Sequence, residues 1–187
     1  MKRLSVFLGA MGLAALVSAA EPAGKSTFSL SSEDFQPAGQ LAEKQVYGGF
    51  GCNGPNISPA LTWDNPPEGT KSFALMVFDP DAPTGGGWWH WVVYNIPATV
   101  RSLPTGAGDP KKNLMPSGAV QARTDFGITG YGGPCPPPGK PHRYVFKVFA
   151  LKTPSLEVPA DATAALIGFN VNANALAQAE LTGMYGR

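Results

Sequence analysis

The sequence predicts a mainly β domain, an antiparallel sandwich with one late helix, and three observations carry that prediction. Nineteen prolines and twenty-three glycines in 187 residues demand many turns and rigid corners, which suits short strands better than long helices. Apolar runs of strand length at Lys71–Phe78, Trp88–Ile96 and Arg143–Leu151 stop abruptly at such corners. Only the stretch from Asp161 to about Asn174 has helical spacing, with Asp161 as N-cap and Ala162, Ala165, Leu166 and Phe169 on one face.

Taken in order, the chain opens with Lys2 and Arg3, an apolar run from Leu4 to Val17, and small residues at Ser18-Ala19-Ala20. That pattern reads as a secretory signal peptide over residues 1–20. The apolar run is too short for a good membrane span, so the expected product is exported, periplasmic or secreted, and not integral to the membrane. Residues 21–187 then form one domain. Thr27–Ser31 alternates and reads as a first strand, Gly48–Pro59 is dense in turn formers, and Ala60–Trp63 is a short strand before the loop Asp64–Gly69. Ala98–Pro116 has no pattern, and a loop of that length is expected to be functional or mobile. Arg143–Leu151 is apolar enough to be buried on both faces. Beyond Ala175 the pattern fits a helix or an edge strand equally.

Charged residues make up only 14% of the chain and the net charge is +1, so the basic footprint of a nucleic-acid binder is absent. Nothing in the sequence calls for a cofactor. Cys52 and Cys135 are its only cysteines. Export favours a disulfide between them, with free thiols or a site shared with the two histidines as rivals. A zinc site fits poorly, because no C-x-x-C or H-x-x-x-H pair is present.

The chemistry concentrates at two corners. Asp79-Pro80-Asp81-Ala82-Pro83 ends one apolar run, and the return run carries His90 between Trp89 and Trp91. The second histidine, His142, follows Gly133-Pro134-Cys135-Pro136-Pro137-Pro138-Gly139. The reading adopted is that both corners meet in one pocket. Each residue also has a plainer role. Asp79 before Pro80 is a common turn residue, a histidine flanked by tryptophans is often a satisfied core group, and Trp88, Trp89 and Trp91 read as sheet packing rather than a ligand cage.

These motifs, together with Trp89-His90-Trp91, Gly130–Gly139, His142-Arg143-Tyr144, Cys52–Pro59 and the ending Leu181–Arg187, resemble the phosphatidylethanolamine-binding proteins, above all their bacterial Raf kinase inhibitor-like branch. The resemblance covers nearly all of the mature chain. It implies a sandwich of antiparallel sheets with a small pocket for phosphate or phospholipid head groups, lined by Asp79, Asp81, Pro83, His90, Gly133, Pro136, His142 and Tyr144. It also implies a homodimer and, as a rival function, a kinase- or protease-inhibiting module. The C-terminal helix of eukaryotic members has no counterpart before Arg187.

Two carboxylates are odd walls for an anion. Donors are therefore expected from backbone N–H groups of Gly132-Gly133, the Tyr144 hydroxyl and histidines raised in pKa by an aspartate, with affinity strengthening toward pH 6. An Asp/His acid–base hydrolase is the remaining alternative. It lacks a G-x-S-x-G elbow and a serine beside either histidine, and Cys135 is a nucleophile only if it is a free thiol. The reading preferred is non-enzymatic binding of a small anionic or phosphorylated ligand.

Overall fold

The computed structural model describes residues 27–187, and the segment read as a signal peptide lies outside them. Eight strands form two antiparallel sheets. β1 (Ser29–Ser31), β2 (Leu61–Asp64) and β5 (Ser102–Leu103) make a three-stranded sheet in the order β1-β2-β5. β3 (Ser72–Asp79), β4 (Trp88–Pro97), β6 (Val120–Gln121), β7 (His142–Leu151) and β8 (Ala175–Tyr185) make the larger sheet, ordered β6-β4-β3-β7-β8. A single α-helix, α1 (Ala164–Asn174), completes the described elements.

Period-two alternation explains the layers. Phe73, Leu75 and Val77 of β3 join Phe146, Val148 and Ala150 of β7 in a core that also holds Leu30, Leu61, Trp63 and Leu103 of the small sheet. The intervening Ala74 and Met76 face the other way, into a second cluster with Phe149, Ile167 and Val171. β3 is therefore covered on both faces, which is why its sequence is a continuous apolar run.

The helix departs from the expectation. Its N-cap is Thr163, whose Oγ1 accepts from Leu166 N at 3.2 Å, and not Asp161. The buried face is Ala164, Ile167, Gly168 and Val171, while Leu166 and Phe169 are exposed, Phe169 by 72%. Gly168 decides the orientation. A β-carbon there would sit 3.3 Å from Met76 Cε, so glycine lets this face lie close on the sheet while Ile167 and Val171 pack beside it.

The segment after Ala175 is strand. β8 pairs with β7 from His142↔Tyr185 to Leu151↔Ala175. Its outer edge is covered in part by the chain at Ala38–Leu41, through Ala38 N to Thr182 O, Met184 N to Gly39 O and Leu41 N to Met184 O, which removes an exposed edge. The Ala98–Pro116 loop contains β5 and is anchored rather than unstructured: Gly106 N donates to Ser58 O and Gly108 N to Ser58 Oγ, with Leu103 and Ala107 buried. Cys52 and Cys135 form a disulfide with Cα atoms 6.0 Å apart, spanning 83 residues. Closing a loop of that length stabilises by about 4–5 kcal/mol in the chain-entropy treatment.

The helix orientation has a direct test by urea denaturation. Ile167→Ala is expected to cost about 2–5 kcal/mol, and Phe169→Ala less than about 0.5 kcal/mol. The reverse order would mean that the helix presents Phe169 to the sheet.

Candidate functional site

The site lies where β3, β4 and β7 end together. Asp79 closes β3 on the face of Phe73, Leu75 and Val77, so alternation carries a carboxylate to the rim of the sandwich core. It is 3% exposed. Its Oδ1 accepts from Asp81 N at 2.8 Å and forms the turn, and its Oδ2 accepts from His142 Nδ1 at 2.7 Å. His142 begins β7, on the same face as Tyr144 and Phe146. The two corners thus meet through one hydrogen bond.

His90 arrives by a β-bulge. Val77 faces Trp91 and Phe78 faces Trp89, and the register shift between them leaves His90 without a partner on β3. Bulges re-aim side chains in this way. Trp91 goes to the core, and Trp88, opposite Asp79, shares the cavity with His90. His90 is 4% exposed and its Nδ1 lies 2.6 Å from the Gly132 carbonyl. A carbonyl only accepts, so Nδ1 carries the proton and Nε2 is a bare acceptor in the neutral ring.

A cavity of about 150 Å³ joins these groups, lined by Asp79, Pro83, His90, Pro136, His142 and Tyr144 among others. Burial grades it. Asp79, His90 and Tyr144 form a buried floor, and Pro83, Thr84, Pro137 and Phe50 form an exposed rim. Tyr144 is 1% exposed and its hydroxyl has no hydrogen-bond partner among the described residues, nor has Trp88 Nε1. Burial, reinforced by the Asp79 charge, pushes the Tyr144 hydroxyl above the usual phenol range and keeps it a donor. Among the described residues, no lysine or arginine lines the cavity.

Two of the expected lining residues stand elsewhere. The Asp81 carboxylate is engaged by Arg143, accepting from its backbone N at 2.9 Å, Nε at 2.9 Å and the other guanidinium nitrogen at 2.8 Å. Those hydrogen bonds hold Asp81 well below the usual carboxylate range. Asp81 staples the first corner to β7. Gly133 N donates to Asn56 Oδ1 at 2.7 Å, and Gly132 N to His90 O at 2.8 Å. Neither N–H is available as the anion donor expected of that turn. Gly133 is glycine for space: a β-carbon would fall 1.8 Å from Gln45 O.

His90 also differs from the expectation of a raised pKa. Burial drives His90 down to about 4, against smaller upward pulls from the Gly132 carbonyl and the Asp79 charge. The ring is therefore neutral at pH 7.

With this arrangement in hand, the similarities of the chain become informative. Residues 31–186 match the phosphatidylethanolamine-binding protein family. The chain belongs to that family. It is 54% identical to the UPF0098 protein YbcL of Escherichia coli (strain K12), over 86% of this chain and 88% of that protein. It is 50% identical to YbhB of the same strain, over 83% and 98% respectively. Its fold resembles the crystal structure of E. coli YbcL, described as a new member of the mammalian PEBP family, with a TM-score of 0.84 and 53% identity over 87% of this chain and 99% of that one. A homologue from Chlamydia trachomatis, CT736, aligns with a TM-score of 0.71 and 33% identity, over 86% and 97%.

Several residues of this family member escaped the sequence reading. Phe50 lines the cavity from a segment read only as dense in turn formers, and Phe126 from one given no structural reading. Trp88 lines it too, although Trp91 is core and Trp89 packs at a tilt against Phe78 with ring centres 4.5 Å apart on the outer face. Asn56, which ties Gly133 N and Tyr131 O together through its amide, carried a signal in the Asn53–Ser58 run of turn formers. The disulfide takes both cysteines, so Cys135 offers no thiolate and no metal ligand.

The buried neutral His90 has a consequence for stability. Its unfolded pKa is about 6.5 and its folded pKa about 4. Between those values the unfolded chain binds a proton that the native state refuses, so stability falls as pH drops from 6.5 to 4. The loss from this group is on the order of 3 kcal/mol. Urea denaturation at pH 7 and pH 4.5 should show it, and His90→Asn should remove most of that difference; an unchanged difference would mean that His90 is protonated in the fold.

Proposed function

We propose that the cavity binds a small oxyanion in its protonated, singly charged form, with phosphate monoesters as the best match. The observation that carries this reading is the polarity of the floor: two histidines anchored through Nδ1, to Gly132 O and to Asp79, beside a Tyr144 hydroxyl with no partner. Tyr144 donates to an anionic oxygen. His90 Nε2, bare in the neutral ring, accepts from a P–O–H. Without a lysine or arginine in the lining, the site has hydrogen bonds rather than fixed positive charge to offer, and a dianion beside Asp79 is disfavoured.

The family description names a phospholipid, and the phosphate of phosphatidylethanolamine is a diester. A diester carries one negative charge, as this site favours, but no acidic proton for His90. The floor is therefore matched more closely by a monoester. Export is proposed alongside. The Cys52–Cys135 bridge supports it, because disulfides persist in oxidising compartments.

The ligand, rather than a histidine, then sets the pH dependence. The second ionisation of a phosphate monoester lies near pH 6, so the monoanion falls from about half the population at pH 6 to about one part in a hundred at pH 8. Calorimetric titration with phenyl phosphate should show affinity weakening about 50-fold over that interval. Dimethyl phosphate, a monoanion without the proton, should bind more weakly at pH 6 and show no such slope. Tyr144→Phe should weaken phenyl phosphate at least about tenfold, as loss of a hydrogen bond to a charged group. Affinity for phenyl phosphate that is flat from pH 6 to 8 would overturn the reading.

A further inference from the structure

The rim of the cavity is built differently from its floor. Phe50 is 66% exposed and lines the cavity. Its backbone has φ +54°, unusual for a bulky residue, and Gly51 follows at φ +83°. One face of its ring stacks on Phe126 at 5.7 Å with planes 19° apart, and Tyr47 lies 5.6 Å away. Phe126 in turn packs against Trp88 at 5.4 Å and His90 at 5.2 Å. An aromatic collar therefore rises from the floor histidine to the solvent.

Three cross-links hold the Phe50 segment against the second proline corner. At its base Tyr47 N donates to Pro134 O at 3.0 Å. The Cys52–Cys135 disulfide runs beneath it, with Cys135 Sγ 3.4 Å from the Gly49 carbonyl and 3.6 Å from that of Phe50. Arg187 spans the two sides, donating through Nε to Pro136 O at 2.6 Å and through a terminal nitrogen to Gly51 O at 3.3 Å. A left-handed phenylalanine held by this many constraints points to function rather than to folding, because the ring it positions is left largely in water.

Volume indicates what the collar is for. A cavity of about 150 Å³ holds about five waters at their liquid volume, little more than the four oxygens of a phosphate, so the organic group of an ester has to reach the rim. Once the floor has taken the phosphate, the remaining space is bounded by Phe50, Trp88, Phe126 and Pro137.

We propose that Phe50 is the specificity wall of this pocket, that it receives the flat, apolar organic group of a phosphate monoester, and that the Cys52–Cys135 disulfide and Arg187 are the positioning groups that hold it there. The proposal rests on the oxyanion reading of the floor and adds the substrate class. It also makes ligand preference dependent on redox state. Reduction by a dithiol proceeds by two thiol–disulfide exchanges: the S–S bond of Cys52–Cys135 breaks, two electrons and two protons pass to the cysteines, and the dithiol leaves as its own disulfide. The Phe50 segment then keeps the Tyr47 and Arg187 tethers alone. By linkage, a ligand that needs the wall in place must protect the disulfide from reduction by the same factor.

The test compares inorganic phosphate with phenyl phosphate at pH 6, in the intact oxidised protein, in Phe50→Ala, in Arg187→Ala and after dithiothreitol. The oxidised protein should prefer the ester by about three- to tenfold, the range of an aromatic contact. Phe50→Ala, which alters an exposed side chain, should abolish that preference. Arg187→Ala and reduction should lower the ratio, with Arg187→Lys recovering little because it cannot span both carbonyls. Equal ester preference in Phe50→Ala overturns the wall. A ratio unchanged in both Arg187→Ala and the reduced protein overturns the positioning. Failure of the oxidised protein to bind either probe would instead overturn the oxyanion reading and this proposal with it.

Discussion

The buried Asp79 carboxylate is the constraint on which the site depends. A carboxylate 3% exposed at the end of a core strand is tolerable only with its oxygens occupied. One oxygen takes Asp81 N and forms the corner; the other takes His142 Nδ1 and joins that corner to β7. Everything nearby follows from satisfying it. The turn directs Asp81 outward to Arg143, which braces the same junction from the solvent side. His142 is oriented by the bond, and the space between the corners becomes the cavity.

The floor and the rim of that cavity obey different physics. On the floor, burial decides protonation: it holds His90 neutral and Tyr144 protonated, so their roles as acceptor and donor stay the same across the neutral pH range. On the rim, geometry decides. Phe50 adopts a backbone conformation that its side chain disfavours, and a disulfide and an arginine keep it there. A polar floor with fixed proton positions and a cross-linked aromatic rim are the two surfaces that the proposed ligand, with one charged end and one apolar end, would meet.

The strands were legible because their apolar runs coincide with real core strands. Thr27–Ser31, Ala60–Trp63, Lys71–Phe78, Trp88–Ile96 and Arg143–Leu151 differ from the observed elements by no more than two residues at either end. The helix was located, but its buried face was misread. Leu166 and Phe169 were placed on the inner face, whereas the buried face is that of Ala164, Ile167, Gly168 and Val171, where Gly168 permits close approach to Met76. β8 was ambiguous because much of it is small or polar, and its strand character comes from pairing with β7 and from the Ala38–Leu41 segment along its edge. In the site, Asp79, His90, His142, Tyr144, Pro83 and Pro136 come together as the two-corner reading required. Asp81 and Gly133 stand behind the cavity as braces. Phe50 and Phe126 were invisible because nothing local distinguishes an aromatic in a turn from one on a rim.

By itself the sequence determined five of the eight strands found among the described residues, the proline corners, the cysteine pair available for a bridge and the collection of Asp, His and Tyr near two turns. These follow from local propensity, periodicity and composition, which are properties of short stretches of chain. Tertiary structure alone decided which groups face the cavity, which nitrogen of each histidine is occupied, and which aspartate touches the site and which one staples it. Those outcomes depend on register, on the single-residue bulge that re-aims His90, and on desolvation that sets proton positions. Each arises only when segments far apart in sequence are brought within hydrogen-bonding distance.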